Sequence, residues 1–218
     1  MRRILVVCIL LAAIGFAPSS AAAKPESTFI FHFKGRAGSA TLTDCPVGAP
    51  AGFVCRAVVV FAFEQRVNED GQQLGGAGFN VTLFDVTILD SEPFFSVEEI
   101  GFGFTEDAAV KINGSLSKGA ASAQDVQLCQ FAPCAPGAPE SISVSVDWAG
   151  FGPTTSFKAH DKFSDPFCFV NSRSRGSLRS ASATGTVDGV SFVAPNLPGF
   201  GATLQKDSFG TVQRCSFI

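Results

Sequence analysis

Residues 141–148 read SISVSVDW, so Ile142, Val144, Val146 and Trp148 fall on one side of an extended chain and Ser141, Ser143, Ser145 and Asp147 on the other. Alternation at period two is the pattern of a strand with one buried and one wet face, because successive strand side chains point to opposite faces. The same period returns in FIFHF at 29–33, where three phenylalanines share a side. The runs at 57–64 (AVVVFAFE), 79–89 (FNVTLFDVTIL) and 167–170 (FCFV) are denser in β-branched and aromatic residues and predict central strands. No window after the N-terminal leader shows apolar residues at i, i+3, i+4 and i+7. A single helical turn around Thr105, Glu106 and Asp107 is the most helix the pattern asks for. Turn signals stand between the runs: NEDG at 68–71, LGGAG at 74–78, KING at 111–114 and VDG at 187–189. The expected fold is all-β, a single-domain antiparallel β-sandwich or β-barrel of about a dozen strands.

The N-terminus has a different character. Arg2 and Arg3 precede an apolar run at 4–16, and Ala21-Ala22-Ala23 offers a small-residue cleavage site before Lys24. That layout predicts a secretory signal peptide over residues 1–23, since the apolar run is too short for a permanent membrane helix. The expected mature protein is one all-β domain over 24–218, secreted to an extracellular or periplasmic space, with no transmembrane anchor. Without Arg2 and Arg3 the chain carries 14 basic and 19 acidic side chains. An acidic balance speaks against a general nucleic-acid binder, which needs cations to neutralise phosphates.

Six cysteines follow the leader: Cys45, Cys55, Cys129, Cys134, Cys168 and Cys215. An even number in an exported chain predicts disulfides. The intervals CPVGAPAGFVC and CQFAPC look like proline-containing loops closed at their bases, which suggests Cys45–Cys55 and Cys129–Cys134 and leaves Cys168–Cys215 to tie down the C-terminus. A zinc site is disfavoured, because no C-x₂-C pair occurs and the chain has two histidines. The segment APCAPGAP within 131–140 could divide the chain in two, but it is short, and one domain is the better reading.

The densest chemistry lies in HDKFSDPFCFVNSRSRGSLR, residues 160–179. His160, Asp161 and Asp165 are the candidates for a catalytic or metal-ligating group, yet Asp165-Pro166 favours turn initiation and a lone His-Asp pair is too few ligands. His32 alternates with phenylalanines and should face solvent. No G-x-S-x-G elbow is present, and the cysteines are all expected to pair. Glu98-Glu99 and Glu106-Asp107 are adjacent in sequence, which puts partners on opposite faces of a strand rather than across a cleft. No catalytic residue, no metal and no cofactor is therefore predicted, and the chain is not expected to be an enzyme. Arg173, Arg175 and Arg179 share parity and would form an anion-gripping stripe in one continuous strand. Gly176 among them is expected to mark a turn or bulge, and a solvated face or turn is the plainer expectation. Asn80 and Asn113 match the glycosylation acceptor pattern and are expected unmodified.

Two further features bear on function. GSLSKGAASA (114–123) and GSLRSASA (176–183) share a Gly-Ser-Leu start, a basic residue and alternating alanines. The chain also has 23 phenylalanines and no tyrosine, which weakens the case for a protein-binding or sugar-stacking surface. The segment VDWAGFGPTTSFKAHDKFSDPFCFVNSRSRGSLRSASATGTV (146–187), with FKGRAGSATLTDC (33–45), resembles a group of uncharacterised secreted bacterial β-proteins. The resemblance implies an exported β-fold and supplies no activity or site residue. The functional expectation is a non-catalytic secreted β-protein, structural or interacting with a partner at the cell surface. The alternative is a lipocalin-like carrier of a small apolar ligand in a phenylalanine-lined interior.

Overall fold

The computed structural model describes residues 26–92, 94–129, 140–194 and 201–216. The predicted leader and Cys134 lie outside the described residues, as does most of the proline-rich segment after Cys129. Eleven strands are present: β1 (Glu26–Thr43), β2 (Val54–Glu69), β3 (Gln72–Ile88), β4 (Phe95–Thr105), β5 (Ala108–Ile112), β6 (Lys118–Gln127), β7 (Ser141–Gly150), β8 (Thr155–Ser164), β9 (Cys168–Val187), β10 (Val190–Val193) and β11 (Ala202–Ser216). They form one antiparallel sheet in the order β4-β3-β2-β1-β10-β9-β7-β6-β5, with β11 inserted between β1 and β9 and β8 on the other side of β9. Phe102 and Cys129 exchange backbone hydrogen bonds of 2.9 and 2.8 Å, joining β4 to the residues after β6 and closing a barrel. The all-β expectation holds. Two disulfides, Cys45–Cys55 and Cys168–Cys215, pair as the spacing suggested, and the Cys129–Cys134 pairing falls outside the described residues. Among those residues no helix is long and apolar enough to cross a membrane.

Two turn expectations need correction. LGGAG is not a turn but part of β3, paired residue by residue with β2. The hairpin turns within the predicted NEDG, at Asp70-Gly71, where φ is 48° and 88°, the left-handed pair that Asp-Gly accommodates in a two-residue connection. The helical turn expected at Thr105 is absent: the chain bends there because the Asp107 N–H donates to Thr105 Oγ1 at 3.0 Å.

The barrel interior is filled. β7 delivers Ile142, Val144, Val146 and Trp148 as its alternation requires, and all four are buried. Leu42, Val58, Val60, Phe79, Val81, Leu83 and Leu204 meet them from β1, β2, β3 and β11. The two similar alanine-rich segments supply β6 and the second half of β9, and both pair with β7. Their Ala121, Ala123, Ala181 and Ala183 are buried in the same core as Trp148. That ring packs over Gly38 and lies near Gly119, where any Cβ would be in tight contact, and its Nε1 donates to Ser39 O at 3.0 Å. Among the described phenylalanines only Phe79 and Phe192 are buried, so most of the abundant phenylalanine lies outside this core.

The long strands do not stop at the barrel. The outer lengths of β3, β2, β1, β11 and β9 continue past it and, with the whole of β8 added at the edge beside β9, form a six-stranded single-layer sheet in the order β3-β2-β1-β11-β9-β8. Its outer face carries Phe31, Phe33, Phe63, Phe157, Phe163 and Phe209, the Phe31 and Phe209 ring centroids lying 6.0 Å apart. Rings on this face lie across glycines: Phe63 covers its cross-strand partner Gly78, and Phe157 covers its partner Gly176. Gly176 therefore sits within an unbroken β9 and marks neither turn nor bulge.

Candidate functional site

The inner face of this extension follows from strand parity. β1 turns Gly38, Ala40 and Leu42 into the barrel, so the same parity carries Arg36, Lys34 and His32 onto the inner face beyond it. Register then fixes their neighbours. At the level nearest the barrel, Arg36 stands between Glu64 of β2 and Lys206 of β11. One level further out, Arg66 of β2, Lys34 of β1, Ser208 of β11, Arg175 of β9 and Lys158 of β8 form a row across five strands. Next come Asn68, His32, Gly210, Arg173 and His160. With β5 across the barrel end, this face encloses a concavity of about 910 Å³, to which Lys34, Arg36, Arg66, Lys158, Arg175 and Lys206 contribute.

Three of the cations nearest the barrel donate to the chain leaving β5, although Arg179 Nε is buried without a partner among the described residues. Arg36 Nη1 donates to Ile112 O at 2.8 Å and to Glu64 Oε1 at 3.1 Å. Lys206 Nζ donates to Gly114 O at 2.8 Å, and Arg179 Nη1 to Ser115 O at 3.4 Å. The turn that offers these carbonyls is built by Asn113, whose Oδ1 accepts the Ser117 and Lys118 N–H groups.

The row beyond is different. The side chains of Arg66, Lys34, Arg175 and Lys158 make no hydrogen bond or ion pair with any described residue. Lys34 stands directly opposite Arg66, and Lys158 directly opposite Arg175. Like charges directly opposite across a strand pair disfavour the sheet, the more so at low salt. Glu64 is the one carboxylate on the two levels nearest the barrel, in a chain whose net charge is −3. The arginine stripe thus keeps its parity: Arg173, Arg175 and Arg179 share a face because β9 runs through Gly176. Edge protection does not account for them, because β9 lies between β8 and β11.

The other sequence candidates do not converge. His160 lies on the inner face with Nε2 2.8 Å from Asn171 Oδ1, whereas Asp161 points to the opposite face of β8. Asp165 is spent on the turn, its Oδ1 accepting the N–H groups of Phe167 and Cys168 at 2.7 and 2.6 Å. Asp44, Cys45 and Cys55 come within metal-binding distance of one another, but the two sulfurs are bonded together and cannot act as thiolates. Asp44 Oδ1 also accepts the Arg56 N–H at 2.7 Å.

On the outer face Asp207 shares the space over Gly176 with the Phe157 ring, and burial raises its carboxyl pKa. The folded protein therefore holds this proton more tightly than the unfolded chain, and stability falls as pH rises through the window between the ordinary and raised values. Asp207→Asn is expected to stabilise the protein slightly near pH 7, solvent screening keeping the effect small, and to give no gain near pH 3, as urea melts at the two pH values would show.

Sequence reasoning singled out the β9 arginines but passed over Lys34, Arg36, Arg66, Lys158 and Lys206. The signal was present within strands, since FHFKGR and FKAHDKF alternate rings with cations. What the sequence lacks is the pairing that lines these strands up.

No protein-family model matches the chain, and no curated protein matches it in sequence. A solved structure described as an acetoacetate decarboxylase-like enzyme from Sphingomonas wittichii RW1 is similar at 6% identity over 87% of this chain and 92% of that one, with a TM-score of 0.29. Likeness at that level assigns no site.

Proposed function

We propose that this is an exported, non-catalytic binding protein that holds an anionic ligand on the inner face of its sheet extension. The observation that carries the reading is the row of Arg66, Lys34, Arg175 and Lys158: four cations, two like-charge pairs, and no described carboxylate within ion-pair distance of any of them. An external anion relieves both repulsions and forms charge-assisted hydrogen bonds with the two guanidinium groups. Export is supported by the leader-like N-terminus and by the disulfides.

The test is retention on phosphocellulose at neutral pH and low salt, conditions under which a protein of pI about 5.4 ordinarily flows through. The wild-type protein is expected to bind and to elute with salt, and the Lys158→Glu/Arg175→Glu variant to pass unretained with an unchanged melting curve. Failure of the wild type to bind, or full retention of the variant, would refute the reading.

A further inference from the structure

We infer that the ligand is a linear phosphate polymer lying across the strands along the Arg66–Lys34–Ser208–Arg175–Lys158 row. This deepens the anion-binding reading and rests on it. Three observations define the ligand class.

The first is span. With neighbouring strands about 4.8 Å apart, the row extends about 19 Å from Arg66 to Lys158, and its two like-charge pairs stand about 10 Å apart at the backbone. A single phosphate group satisfies one pair and leaves the other unpaired. A chain of repeating charges satisfies both.

The second is the absence of a compact anion nest. Tight sites for one phosphate use several free backbone N–H groups at a helix N-terminus or in a turn. Here every row residue belongs to a continuous ladder, flanked on both sides in β2, β1, β11 and β9. Recognition falls to side chains spread along a line, with the Ser208 hydroxyl between the two pairs.

The third is the segregation of rings. Single-stranded nucleic acids are gripped by base stacking on aromatic side chains, and sugar rings need comparable platforms. Of the phenylalanines in the extension's strands only Phe169, near the tip of β9, shares the face of the cationic row, and the row itself contains no ring. A track of cations and a hydroxyl without a stacking surface suits a polymer whose charge is its whole recognition surface. Inorganic polyphosphate and poly(glycerol phosphate) share that chemistry.

Isothermal titration of the full-length mature protein with orthophosphate, tripolyphosphate, long-chain polyphosphate and poly(glycerol phosphate) tests the inference. At least one long polymer is expected to bind tenfold or more tighter than tripolyphosphate, with log K falling against log salt at a slope of about −3, as four neutralised charges on a flexible chain require. Lys34→Glu/Arg66→Glu and Lys158→Glu/Arg175→Glu are each expected to reduce long-chain affinity to the tripolyphosphate level, with melting curves reporting that the variants fold. A preference between the two long polymers identifies the source of the phosphates.

Orthophosphate or tripolyphosphate binding as tightly as the long chains would overturn the inference while leaving an anion site in place. So would long-chain binding that survives reversal of either pair. Retention on phosphocellulose without binding of any phosphate in solution would also overturn it and leave the broader reading standing. Absence of both would remove the two together.

Discussion

Trp148→Ala is expected to destabilise the protein by about 3–5 kcal/mol, the range for removing a large buried ring. The side chain is 2% exposed, its ring packs over Gly38 and lies near Gly119, and no neighbouring strand can move in to fill the space without breaking its own ladder. The indole Nε1 also donates to Ser39 O, so part of the loss is a hydrogen bond. Trp148→Phe separates the two contributions: it keeps most of the packing, gives up the donor, and is expected to cost about 1–3 kcal/mol. Urea melts followed by circular dichroism measure both. A cost below about 1 kcal/mol for the alanine variant would mean that the ring does not fill the barrel as described. Trp148 is the chain's one tryptophan and there is no tyrosine, so wild-type fluorescence reports this single site during unfolding.

Removing the Cys168–Cys215 disulfide by a double serine substitution is expected to cost about 4 kcal/mol, the loop-closure entropy of a separation of 47 residues. The Cys45–Cys55 bridge spans 10 residues and is expected to contribute about 3 kcal/mol on the same basis. The location of the first bridge matters more than the difference. It joins the start of β9 to the end of β11 at the tip of the extension, where the sheet is one layer thick and far from the filled barrel. Its loss is expected to expose the β8–β9 turn to protease before the barrel opens. Proteolysis of the variant in native buffer, with the cleavage site mapped by mass, checks this. Cleavage appearing first in the barrel strands would show that the tip does not depend on the bridge.

How far the sequence was legible depends on the range of the interaction that decides each feature. SISVSVDW declared its strand and its buried face because period two is a property of eight consecutive residues. Asp70-Gly71 and Asp188-Gly189 declared their hairpins because two residues are enough to set a left-handed turn. LGGAG misled for the converse reason: glycine weakens a strand locally, and what keeps this one extended is pairing with β2 and the Phe63 ring lying over Gly78. The cationic row was the least legible of all. Its members come from residue numbers 34, 66, 158, 175 and 208, and only the register of four strand pairs brings them abreast. The stripe on β9 was visible because one strand contains it, but its significance depended on Gly176 staying in the strand.

β1, β2, β9 and β11 each run unbroken from the filled barrel into the extension, so every member of the charged row except Lys158, which stands on the edge strand β8, is carried on a strand whose other end is clamped in a packed core. Such a receptor has no hinge to close and no segment to fold when its ligand arrives. The entropy surrendered on association is confined to the free ends of two lysines and two arginines, about 0.5–1.5 kcal/mol for each side chain immobilised. Rigidity made in the barrel is thereby passed along the strands to a surface that has no core of its own.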